Sequence, residues 1–211
     1  MEKMPYQERV RVATRQIPFD WQFGLPAIRR QKLTLRELRP SDASALLAML
    51  TSDEVADVVS PLPHSVEGFE AFINEAHHDR TRGNSFCFGV VPAGYEDAMG
   101  LFQVRQLEPG FASAEWGFAI GSPFWGRGVF TEGAKAVIDF AFGNVGVHRL
   151  EARSIASNAR GNAALKKIGA LQEGILRRSF VRNGRYFDQI LWSILKEDWR
   201  QAHALCGPTF H

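Results

Sequence analysis

Apolar residues recur along this chain with two periods, and the switches between them mark the elements. Residues 32–38 alternate apolar and polar, the period of a half-buried strand. Pro40-Ser41-Asp42 breaks that pattern and starts a helix, with Ser41 placed as its N-cap and Leu46, Leu47 and Leu50 as its apolar face. After Ser65, the residues Phe69, Phe72, Ile73 and Ala76 fall at i, i+3, i+4 and i+7, which predicts a second amphipathic helix. Strands are predicted over 85–91 and 99–107, joined by the turn Pro92-Ala93-Gly94. A fourth strand spans about 113–120. Alternation there puts Glu115, Gly117 and Ala119 on one face and Trp116, Phe118 and Ile120 on the other.

A long apolar helix follows, running to about residue 142. Glu132, Lys135 and Asp139 form its single narrow polar stripe, so it is expected to be nearly buried. A fifth strand covers about 149–155, with Asn158 just past it. A short helix then turns Ala164, Leu165 and Ile168 inward. Two closing strands flank Asn183-Gly184, a strong hairpin signal. Antiparallel strands followed by strand, loop, helix and strand predict an α+β fold: a mixed sheet with helices on its faces, not a doubly wound parallel sheet.

Residues 124–133, Phe-Trp-Gly-Arg-Gly-Val-Phe-Thr-Glu-Gly, stand between the fourth strand and the apolar helix. Gly126 and Gly128 can bring bare backbone close to a ligand. Thr131 is a suitable N-cap, so the first N–H groups and the positive dipole end of the helix would face the loop. That is a phosphate site in outline. It is not a dinucleotide fingerprint, because Thr131 stands where a third glycine belongs, and it lacks the Gly-Lys-Ser/Thr ending of a P-loop. A plain strand-to-helix turn would use the same glycines.

Composition narrows the class. The 211 residues are 45% hydrophobic and 23% charged with a net charge of +2, which fits a soluble globular chain and gives no reason to expect direct nucleic-acid binding. Cys87 and Cys206 lack metal-ligand spacing and are too few for a disulfide scaffold, so a reduced cytoplasm is expected. No apolar run is long enough to span a membrane, and the first residues lack the apolar core of a signal peptide. The expected division is an extension over 1–31, a domain over 32–200 and a tail over 201–211. The extension carries Arg9, Arg11, Arg15, Arg29 and Arg30 beside Phe19, Trp21 and Phe23; it reads as an edge strand or tail, or else as a lid or dimer arm.

Over about residues 32–200 the chain resembles the GNAT acetyltransferase superfamily, most closely its RimJ/RimL-type branch of ribosomal-protein N-terminal acetyltransferases. Residues 114–120 are similar to the family's fourth strand, and 125–133 to its pyrophosphate loop. His148-Arg-Leu-Glu-Ala with Asn158, then residues 165–169, Glu173-Gly174 and the hairpin at 183–188, complete the likeness. The resemblance implies a mostly antiparallel sheet of about seven strands, splayed between strands four and five. It implies acetyl-CoA as cofactor, with pantetheine along Phe118, Ala119 and Ile120. The diphosphate would lie on residues Gly126, Arg127, Gly128, Val129, Phe130 and Thr131. Asn158, Asn162, Leu165 and Lys167 complete the cofactor set. Pro123 stands where the family loop has Gln or Arg, Leu165 where many members have an acidic Tyr, and Gly161 where this branch has Ser.

Acyl transfer to an amine needs the amine neutral, and a positioned carboxylate can take the proton. Glu115 is the candidate base, with an ion pair to Arg as its structural alternative. Ser154, Asn162 and Tyr186 are possible hydrogen-bond donors to the departing thiolate. Arg160, Lys166 and Lys167 are candidates for the cofactor's 3′-phosphate. The histidines make no metal set, and His77-His78 reads as solvated. The acceptor implied is a protein N-terminal α-amine, alternatively a small amine such as an antibiotic, polyamine or amino acid. A non-catalytic acyl-CoA-binding protein, or a homodimer, would be compatible with the same residues.

Overall fold

The computed structural model describes residues 20–51, 55 and 62–204. Arg9, Arg11, Arg15, Phe19 and Cys206 lie outside the described residues. Among the described residues, eight strands form one sheet in the order β1-β2-β3-β4-β5-β6-β8-β7. They are β1 Ile28–Arg29, β2 Leu33–Glu37, β3 Ser85–Pro92, β4 Gly100–Gln106, β5 Ser113–Ile120, β6 Arg149–Ile155, β7 Leu171–Arg182 and β8 Arg185–Leu195. Neighbours are antiparallel except β5 and β6, which run parallel. The strand beyond the expected seven is the two-residue β1, contributed by the predicted extension and paired to β2. From the same extension Trp21 is buried, edge-on to Phe86 and Phe111, whereas Phe23 stands exposed.

Both faces of the sheet are covered. Helices α1 (Ala43–Leu50) and α2 (Val66–Thr81) bury Leu46, Leu50, Phe69 and Ile73 against Leu38, Cys87, Leu101 and Ala119. On the opposite face α3 (Val129–Phe140) sets Val137, Ile138 and Phe140 among Phe86, Phe88, Phe102 and Val104. With α4 (Ala159–Lys167) and α5 (Lys196–Ala204), it closes that side. Covered on two sides, β3 is buried at every position and reads as a continuous apolar run. Ser65 caps α2 as expected, its hydroxyl accepting from the Gly68 amide.

Two helix starts differ from the sequence expectation. Ser41 is exposed and makes no cap. The neighbouring Asp42 is fully buried instead, and its carboxylate accepts from the Arg39 amide at 2.7 Å, the Ala98 amide at 3.0 Å and both terminal nitrogens of Arg36 at 2.7 Å. A carboxylate can accept several bonds at once, which a hydroxyl cannot. Burial alone would raise the Asp42 pKa, but the bonds from Arg36 and from the two amides outweigh it and hold the carboxyl below its usual range. The long helix begins at Val129, not after Thr131. Gly128 takes φ +83° at the cap, so the chain turns into the helix three residues sooner. At the hairpin, Asn183 (φ +49°) and Gly184 (φ +72°) link the paired Arg182 and Arg185 in the left-handed geometry that the dipeptide predicts.

Candidate active site

The sheet forks at its one parallel seam. β5 and β6 pair only at Ser113–Arg149, Ala114–Leu150 and Glu115–Glu151. Beyond that rung β5 runs on to Ile120 held by β4 alone, and β6 to Ile155 held by β8 alone. Residues 116–120 and 152–155, from the two diverging strands, line one cavity of about 440 Å³. The facing strand edges therefore present main-chain donors and acceptors that no ladder uses.

The loop from Ser122 to Gly128 and the first turn of α3 close the wide end. Trp125 ties it to β5 by donating its indole N–H to the Ile120 carbonyl at 2.7 Å. Gly126, Gly128, Phe130 and Thr131 stand in the cavity wall. Among the described residues, the amides of 126–131 donate to no protein acceptor, while the Glu132 amide bonds the Gly128 carbonyl as the helix proper begins. A row of free N–H groups at a helix N-terminus suits a phosphate. The one acidic side chain in that first turn, Glu132, is turned aside: its carboxylate accepts the Lys32 amide at 2.9 Å. From α4, Arg160 lays its guanidinium 3.7 Å from the centre of the Trp125 ring, and Arg160 and Lys167 both line the cavity.

Most of the sequence-predicted cofactor residues come together here. Phe118, Ala119 and Ile120 line the β5 side, and Asn158, Leu165 and Lys167 the α4 side. Four predicted residues do not line the cavity. Arg127 is exposed, and its carbonyl takes the Lys32 ammonium at 2.9 Å. Val129 is buried in the core. Asn162 spends its amide on the fold, donating to the Ile155 and Asn158 carbonyls and accepting the Trp192 indole N–H at 3.0 Å. Glu115 is the fourth. Arg105 holds one of its oxygens at 2.6 Å and Arg153 lies 3.8 Å from the other, so the expected desolvated base is an ion-paired carboxylate at the apex of the fork. Asn158, although in the wall, caps α4 by accepting the Gly161 amide at 2.9 Å. A Cβ on residue 161 would come within 2.4 Å of that Asn158 side chain, which accounts for Gly161.

Of the three thiolate-donor candidates, Tyr186 is exposed on the hairpin and Asn162 is consumed. Ser154 remains: it lines the cavity, is 8% exposed, and its hydroxyl has no hydrogen-bond partner among the described residues. Cys87 is buried, and burial pushes its thiol up to about 12, which removes it as a nucleophile. His77, expected in solvent, bonds the Leu38 carbonyl at 2.9 Å. Among the described residues no three His, Cys, Asp or Glu side chains gather as a metal set, and no helix is long and apolar enough to cross a membrane. Sequence reasoning missed Lys32. It reaches the loop from 95 positions upstream, and no local pattern announces that.

Residues 32–171 match the family model described as an acetyltransferase (GNAT) domain. The chain belongs to the GNAT family. It is accordingly an acetyl-CoA-dependent N-acetyltransferase. The chain is similar to the spermidine N(1)-acetyltransferase of Escherichia coli, 26% identical over 80% or less of either protein: 68% of this chain and 77% of that one. Its fold is that of the ribosomal-protein-S5-alanine acetyltransferase of Vibrio fischeri (TM-score 0.74, 22% identity, 83% of this chain and 99% of that one). It is equally that of Mycobacterium smegmatis RimJ in complex with CoA-disulfide (TM-score 0.73, 24% identity, 82% and 88%).

Proposed function

We propose that this GNAT enzyme acetylates the N-terminal α-amine of a polypeptide by direct attack within a ternary complex. The observation that carries the reading is the fork itself, two bare strand edges that run up to a loop of unspent amides. When bound, acetyl-CoA supplies an acetyl group as a reactive thioester; transfer forms a C–N bond as the C–S bond breaks, leaving the electron pair on sulfur. The free edge of β5 past Glu115 offers main-chain N–H groups to an oxyanion. Gly126, Gly128, Phe130 and Thr131 hold the diphosphate, and Arg160 and Lys167 the 3′-phosphate. Ser154, whose hydroxyl has no partner among the described residues, donates to the leaving sulfur. With Glu115 engaged by arginines and no Asp, Glu or His among the described wall residues, the amine's proton leaves through water.

The charged side chains among the described wall residues are Arg153, Arg160 and Lys167. A polyamine would meet cations there, whereas a peptide N-terminus brings one amine on a backbone that can pair with the open edges. The small-amine reading is supported by the sequence likeness to the spermidine enzyme. A thiol-release assay with acetyl-CoA separates the two. Turnover of short peptides, with the acetyl group located on the α-amine by mass spectrometry and kcat/KM rising toward the α-amine pKa of about 8, is expected. Turnover of spermidine with none on any peptide would replace this acceptor, and an absence of coenzyme A binding would remove the site.

A further inference from the structure

We propose that Lys32 is the residue that aims the anion loop, a positioning role performed from the start of β2. The inference rests on the reading of that loop as the diphosphate site.

Three contacts define it. The Lys32 ammonium donates to the Arg127 carbonyl at 2.9 Å, and the Lys32 amide donates to Glu132 at 2.9 Å. A Cβ built on Gly128 would lie 2.5 Å from the same ammonium. Lys32 thus bridges the loop and the first turn of α3 on the side where a side chain at 128 would have stood. Lys32 is not in the cavity wall, whereas Gly128 is.

The peptide joining Arg127 to Gly128 is trans, so its C=O and N–H point in opposite directions. With the carbonyl fixed on the ammonium, the Gly128 N–H points away from Lys32. The cation also polarises that peptide and strengthens its N–H as a donor. The neighbouring contact draws the Glu132 carboxylate toward β2, which keeps a negative charge from competing for the loop amides. Pro123 leaves this loop without the side-chain donor that the family resemblance led one to expect. Lys32 makes up the loss indirectly, by fixing a main-chain donor.

The test compares coenzyme A with pantetheine, which lacks the phosphates, by calorimetry on the whole chain. Lys32→Met keeps the length and removes the charge and the donor; Lys32→Arg keeps both. Lys32→Met is expected to weaken coenzyme A about tenfold, the worth of one charge-assisted bond, and to leave pantetheine within about twofold. Lys32→Arg is expected to restore most of the loss. The Gly128 amide resonance of the unliganded protein is expected to shift in Lys32→Met and to return toward its wild-type position in Lys32→Arg. Coenzyme A binding by Lys32→Met at the wild-type level would overturn the proposal. So would an equal loss for both ligands, which marks general damage to the loop. A wild-type chain that binds no coenzyme A would fail the reading of the site and is thereby distinguishable.

Discussion

Ser154→Ala is expected to make the protein more stable and slower. The substitution removes one oxygen from β6, and no hydrogen bond to a described residue is broken. An unsatisfied buried polar group costs about 1–3 kcal/mol, so its removal raises stability by up to that order. The same hydroxyl, if it bonds the departing sulfur, supplies a bond to a forming anion worth about 1.5–3 kcal/mol, which is roughly a 10- to 150-fold loss in rate. Urea unfolding followed by circular dichroism gives the first number; single-turnover thiol release at saturating acetyl-CoA gives the second. Most damaging substitutions lower both quantities, so the opposed signs are diagnostic. An unchanged rate would strip Ser154 of its role, and a loss of stability would mean that its hydroxyl has a structural partner.

Asp42→Ala leaves the Ala98 amide and the Arg36 guanidinium without their buried acceptor, and is expected to cost about 3–5 kcal/mol, seen as a fall in Tm of roughly 10 °C or more; a loss under about 1 kcal/mol would contradict the network described. Because the Asp42 pKa is lowered by folding, its contribution is complete above the ordinary value of 3.8 and disappears as pH falls through the lower folded value. Glu173 follows the same rule: hydrogen bonds from Arg149 and then Ser193 hold it at about 2 against an ordinary 4.5, so melts recorded from about pH 5 down to about pH 2 are expected to show progressive acid loss, with a flat profile the contrary result. Glu115→Gln is expected to keep turnover within about threefold, since it disturbs a pair whose arginine is largely exposed. A fall of about a hundredfold at unchanged stability would return Glu115 to the role of general base.

Much of this site was legible because its parts are local. The alternation over 113–120 and the strand placed at about 149–155 match the bounds of β5 and β6, and the two glycines announced the loop. What stayed hidden depended on partners distant in sequence. Glu115 looked like an isolated mid-strand carboxylate; only the register that sets Arg105 opposite it on β4, with Arg153 nearby on β6, reveals an ion pair. Asn162 looked available until the Trp192 indole, 30 positions away, was seen to use its oxygen. Ser41 and Asp42 are equally good caps by type, and the choice was made by Arg36 and Ala98, which no cap rule includes. Lys32 lies outside every motif.

The fork has a consequence for the empty enzyme. Open strand edges are what foreign chains add to when proteins aggregate, and folds usually blunt or cover them. Here two such edges face each other across an internal slot, so the hazard is confined to whatever is slender enough to enter. A ligand lying there quenches it, and by mass action a hundredfold excess over Kd adds about 2.7 kcal/mol to the folded state. Heat-induced clumping of this chain should therefore be governed by cofactor supply as much as by temperature.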